Sequence, residues 1–70
     1  MNWIDTPESS NIARIAYDAV SRTLYVEFSK GGTYQYFDVP DTVFDQMKAA
    51  SSKGQFLAHS IKGTYRYARM

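Results

Sequence analysis

With 70 residues, 8.0 kDa and no cysteine, the chain has room for one small domain and neither a disulfide nor a thiolate metal site to staple it. An apolar share of 44% that includes eleven Phe, Trp and Tyr residues supplies a dense core, since each ring brings about 150–250 Å² of buriable surface. The net charge of +1 does not by itself point to an acidic partner, the opening residues with Asp5 and Glu8 lack the basic start and apolar run of a signal peptide, nothing approaches the roughly 20 apolar residues of a membrane helix, and the lack of cysteine makes the cytoplasm the expected location.

After an entry segment with Trp3 and Pro7, residues 11–17 alternate loosely, with Ala13, Ile15 and Tyr17 on one side and Ile12, Arg14 and Ala16 on the other, which predicts a first strand. Residues 18–22 make a hairpin loop opened by Asp18, whose carboxylate can accept from the backbone two residues on. Residues 23–28 alternate more cleanly, with Leu24, Val26 and Phe28 opposite Thr23, Tyr25 and Glu27. Gly31 and Gly32 supply the tight second turn, and residues 33–38 follow as a third strand.

At Val39-Pro40 the period changes. Val43, Phe44, Met47 and Ala50 recur at helical spacing, Pro suits a first turn, and Asp41, Asp45 and Lys48 are placed as the helix dipole favours, so a helix is predicted over residues 40–50. Ser51-Ser-Lys-Gly54 breaks it, and Ser52-x-x-Gln55 has the form of a capping box for a second helix that ends near Lys62, with Phe56, Leu57, Ser60 and Ile61 inward and Gly63 as terminator. The tail, residues 64–70, has the alternation of a short extra strand. The expected fold is α+β, a three-stranded antiparallel β-meander followed by a helical hairpin with a short C-terminal strand, in a single domain over residues 1–70 whose core spans about residues 6–69. Arg14, Tyr25, Glu27, Gln35 and Phe37 fall on the face away from the helices.

Charge is unevenly distributed. All seven acids lie in the first 45 residues, which carry a net −4, whereas Lys48, Lys53, Lys62, Arg66 and Arg69 follow with no carboxylate for a net +5. Short motifs run through the same chain in order: Thr6-Pro-Glu-Ser-Ser-Asn-Ile12, Leu24-x-Val26-x-Phe28, Gly32-x-Tyr34-x-Tyr36, Val39-Pro40, Ser51-Ser-Lys-Gly-Gln-Phe56, Ile61-Lys62 and Tyr65-x-Tyr67. Taken together they closely resemble the KTSC domain family, a module found at the C-terminus of some lysyl-tRNA synthetases and as stand-alone small bacterial proteins. The resemblance implies a binding module, with RNA as the suggested ligand, and brings no catalytic residues.

The residues themselves allow two readings of Tyr34 and Tyr36, as stacking platforms for bases or as rings packed beneath the helices. Tyr65 and Tyr67, interleaved with Arg66 and Arg69, have the cation-plus-ring character of single-strand binders, and equally that of a lid on a small core. His59 stands without ligand spacing, and its neighbour Ser60 points elsewhere on a helix, so neither a metal nor a nucleophile pair is expected. Asp38, Asp41 and Asp45 suit helix capping, and the glycines form no phosphate loop. No enzyme, cofactor, metal or membrane role is expected. The leading expectation is RNA contact through Lys53, Lys62, Arg66 and Arg69, with Tyr65, Tyr67, Arg14 or Tyr25 providing stacking. The alternative is association with itself or another protein through the open sheet face, around Tyr25 and Phe37, or a sheet edge.

Overall fold

The computed structural model describes residues 2–70. Strands β1 (Ile4–Asp5), β2 (Ile12–Asp18), β3 (Thr23–Phe28), β4 (Gly32–Tyr36) and β5 (Tyr67–Arg69) form one antiparallel sheet in the order β1-β2-β3-β4-β5. Between β4 and β5 the chain leaves the sheet for α1 (Asp41–Ala49) and α2 (Lys53–Phe56), which runs on into a π-helical turn over Leu57–Ile61. The α+β class holds, but the three-stranded meander is corrected to five strands. The tail pairs with β4 as the closing strand, and the added β1 pairs with β2 through Ile4 and Asp5.

The middle of the sheet follows from alternation. Leu24 lies opposite Tyr17 and Tyr36, and Val26 opposite Ile15 and Tyr34, so one face collects the apolar residues and receives the helices. Alternation misplaces Ile12, which it sets with Arg14 and Ala16. A bulge between Ile12 and Arg14 inserts Ala13 and turns Ile12 to the face of Ile15, where both are fully buried.

Ile12, Ile15, Leu24, Val26 and Tyr36 meet Val39, Phe44, Met47, Leu57 and Ile61 in a single core. Tyr17 ties the layers together, because its ring stacks on Phe44 at 5.0 Å and its hydroxyl donates to the Val39 carbonyl.

Local chemistry sets the boundaries. Asp18 Oδ1 accepts from the Val20 N–H at 3.0 Å in the β2–β3 loop, and Gly32, at φ +80°, closes the β3–β4 turn. Ser52 Oγ accepts from the Gln55 N–H at 3.2 Å, which is one half of the expected capping box, with Gln55 itself exposed. The helical run ends where the Lys62 N–H reaches back to the Leu57 carbonyl at 2.9 Å and Gly63 takes φ +80°.

Two of the sequence motifs meet as a clasp between the N-terminal loop and α2. Thr6, buried, donates from Oγ1 to the Ile12 carbonyl at 2.7 Å, and Ser9 Oγ accepts from the Ile12 N–H at 3.1 Å. Lys53 Nζ then bridges the Ala50 carbonyl at 3.0 Å and Glu8 Oε1 at 3.4 Å. Gly54 packs so closely that a Cβ there would stand 2.8 Å from Asn11 Oδ1.

Candidate functional site

The helices do not cover the whole of the apolar sheet face. Beyond the reach of Leu57 and Ile61, an open cleft of about 730 Å³ is left between the β3–β4 turn, β4, β5 and the end of the π-helical turn. Phe28, Tyr34, Tyr36 and Tyr67 supply its rings, because β3, β4 and β5 are in register there: Tyr36 pairs with Tyr67, Val26 with Tyr34, and Phe28 with Gly32. Ser29, Lys30 and Gly31 form one rim, Lys62 and Gly63 another, and Ser10 and Asn11 close an end.

The rings form a connected set. Phe28 meets Tyr34 edge-on at 5.5 Å, and Tyr67 lies tilted against Tyr34 at 5.9 Å and Tyr36 at 6.0 Å. Tyr36 is 3% exposed and serves core and cleft together, whereas Tyr67 is 64% exposed and presents its ring to solvent. Burial, reinforced by the neighbouring Tyr34 and Tyr67, pushes the Tyr36 phenol above its ordinary pKa, so it stays neutral through the physiological range.

No carboxylate lines the cleft. Lys62 Nζ sits 5.9 Å from the Phe28 ring centroid, and the Arg69 guanidinium sits 6.0 Å from that of Tyr34, lying flat enough on Gly32 that a Cβ there would meet its nitrogens at 3.1 and 3.2 Å. Among the described residues, Lys30, Lys62 and Arg69 form no ion pair, in contrast to Arg14, Lys48, Lys53 and Arg66.

The residues singled out from the sequence therefore fall in four places. Lys62 and Tyr67 line the cleft, and Arg69 stands beside it over the Tyr34 ring. Lys53 serves the clasp, with its side chain 14% exposed. Arg66 pairs with Asp38 at 2.9 Å beside Phe37, and Tyr65 packs against the core. Arg14 and Tyr25 lie on the opposite sheet face, where Arg14 binds Glu27 at 3.0 Å and stacks on Trp3 at 4.3 Å, while Trp3 meets Tyr25 edge-on at 6.4 Å.

Sequence reasoning missed Phe28 and Lys30 as cleft residues, and left Tyr34 and Tyr36 between core and site. Their strand alternation with Phe28 was the available signal. The gap in the helical cover that turns those rings into a surface is a tertiary property.

Among the described residues no helix is long and apolar enough to cross a membrane. A model of the KTSC domain matches residues 8–65. The chain is 41% identical over 64 residues to a lysine–tRNA ligase of Trichormus variabilis, covering 91% of this chain and 11% of that enzyme, so it spans about a tenth of that relative's length. It is also 41% identical over 59 residues to a protein of Tsukamurella paurometabola, covering 84% of this chain and 88% of that one. The crystal structure of a KTSC domain protein from Yersinia pestis superposes with a TM-score of 0.94 at 35% identity, over 99% of this chain and 96% of that chain. Sequence, length and fold thus agree that the chain belongs to the KTSC domain family.

Proposed function

We propose that this KTSC domain is a non-catalytic binding module that takes RNA at the aromatic cleft. One observation carries the reading: four rings and two cations, Lys30 and Lys62, line a single concave surface that holds no carboxylate, and Arg69 stands beside it over the Tyr34 ring, none of the three cations having an ion-pair partner among the described residues. Cations attract and hold phosphates while ring faces accept bases, and neither chemistry needs a titrating acid or base. The kinship with a lysine–tRNA ligase supports a nucleic-acid setting, because that enzyme carries a matching module. Lys62, Tyr67 and Arg69 are the contact residues in this reading, joined by Tyr34, Phe28 and Lys30. Lys53 holds the fold.

Titration of the chain with tRNA and with an unstructured RNA oligonucleotide, at low and at moderate salt, tests the proposal. Binding that weakens as salt rises is expected. Equal affinity for a neutral polymer, or no binding to either RNA, overturns it.

A second reading, association with another protein or a second copy, draws on the Trp3–Tyr25 pair on the opposite face and on the two short edge strands, β1 and β5. Light scattering that shows a mass rising with concentration favours it.

A further inference from the structure

The shape of the cleft restricts the kind of RNA it can take. Tyr36 forms a floor that is 3% exposed, and the walls rise from three separate segments: Ser10 and Asn11, the β3–β4 turn with Lys30, and the end of the π-helical turn with Lys62. A ligand reaches Tyr36 by entering between these walls, while the Tyr67 ring at the open side also faces solvent. Inside a duplex every base has its faces covered by its neighbours and its edges engaged in pairing, so a helix offers the rings nothing to stack on. The A-form major groove is moreover too deep and narrow for side chains to read.

We infer that the cleft receives a single unpaired nucleotide, its base stacked on Tyr67 and Tyr34 and its flanking phosphates held by Lys62 on one side and by Arg69 with Lys30 on the other. This rests on the RNA-binding reading and deepens it from RNA in general to unpaired RNA.

The volume supports this stoichiometry, since about 730 Å³ lies within the range of about 300–1,000 Å³ typical of pockets for small organic ligands. The geometry of the rings does as well. Tyr67 is the exposed ring, tilted 38° to Tyr34 and 37° to Tyr36 rather than parallel to either, so its free face opens to the cleft instead of being spent on a stacked neighbour. Lys62 stands over the Phe28 ring and Arg69 over the Tyr34 ring, each about 6 Å from the centroid, which places charge above the outer rings, where a backbone would pass. Purine and pyrimidine alike have a ring face, so stacking gives little preference among bases.

The test uses the whole chain and three probes: a single-stranded RNA octamer, the same octamer annealed to its complement, and a nucleoside 5′-monophosphate. Amide shifts of Gly31 and Gly63, in the two rims, report on the cleft, and the Trp3 indole reports on the opposite face. The expected result is single-strand binding at least tenfold tighter than duplex binding, weaker binding of the monophosphate at the same site, and shifts at Gly31 and Gly63 with Trp3 still.

Tyr67→Ala, at an exposed edge-strand position, should weaken single-strand binding by about 5- to 150-fold. Lys62→Gln, which leaves every ring in place, should weaken it less and reduce its salt dependence. Equal affinity for duplex and single strand overturns the inference while RNA binding itself stands, as does single-strand binding that moves Trp3 and spares the two glycines. Binding of none of the three probes overturns both.

Discussion

Tyr36 sits where packing and chemistry make different demands on one ring. Its face belongs to the core with Leu24 and Val39, while its hydroxyl opens onto the cleft, and no buried side-chain polar atom is left without a partner among the described residues. The folded phenol has a raised pKa, first from desolvation and then from Tyr34 and Tyr67, so between the unfolded value near 10 and the folded value the unfolded chain loses its proton first. The stability this group contributes is therefore complete below pH about 10 and is lost as pH rises through the folded pKa. Tyr17, raised chiefly by desolvation, acts in the same direction. Tyr36→Phe should leave neutral-pH stability within about 1 kcal/mol of the parent and lose less above pH about 10. Urea unfolding at pH 8 and in steps above pH 10 measures this, and parallel stability curves for the two proteins would refute it.

At the scale of elements, ion pairs of similar length differ in what they hold. Lys53 Nζ is largely enclosed and makes two contacts that lock the N-terminal loop onto α2, whereas Arg66 and Asp38 stand 76% and 77% exposed. Charged hydrogen bonds contribute about 1.5–3 kcal/mol and exposed pairs about 0–1 kcal/mol. Lys53→Met should accordingly cost about 1–3 kcal/mol, and Arg66→Ala less than about 1 kcal/mol, in denaturant midpoints at constant m. Equal costs would mean that the clasp does not organise the N-terminal loop.

The same elements show what a sequence discloses. β3 and β4 were legible because each alternates on a half-buried face, and α1 because Phe44 and Met47 recur at helical spacing. β1 was not, since two exposed residues carry no period and exist as a strand only through pairing with Arg14 and Ile15. The bulge at Ala13 was equally hidden, being settled by the need to bury Ile12. The π-helical turn, which carries Lys62 to the rim, replaced an ordinary helix end that the capping and glycine signals describe just as well. The cleft follows suit: its rings lie on strands that were readable and one rim is the β3–β4 turn that its glycines announce, whereas the gap in the helical cover that opens the rings between the walls was not.

Across the whole molecule, the basic second half of the chain does not act as one surface. Lys48 pairs with Asp45, Lys53 with Glu8 and Arg66 with Asp38, so three of its five cations are offset by the acidic half. Lys62 and Arg69 remain, Lys62 lining the cleft and Arg69 beside it over Tyr34, and they are joined by Lys30 from the acidic half, which linear charge counting assigns to the wrong side. In the proposed RNA-binding reading, the folded distribution rather than the sequence split sets the expected counterion release. For single-stranded nucleic acid each neutralised phosphate contributes about −0.7 to the slope of log K against log salt, so the two phosphates flanking one nucleotide predict a slope of about −1.4, and five late-sequence cations each on a phosphate of its own about −3.5. The expected slope for an RNA octamer is near −1.4, falling to near −0.7 when Lys30 and Lys62 are both replaced by Gln. A parent slope near −3.5 that the double replacement lowers by less than half would locate the phosphates along Lys48, Lys53 and Arg66 instead, with their carboxylate partners displaced on binding.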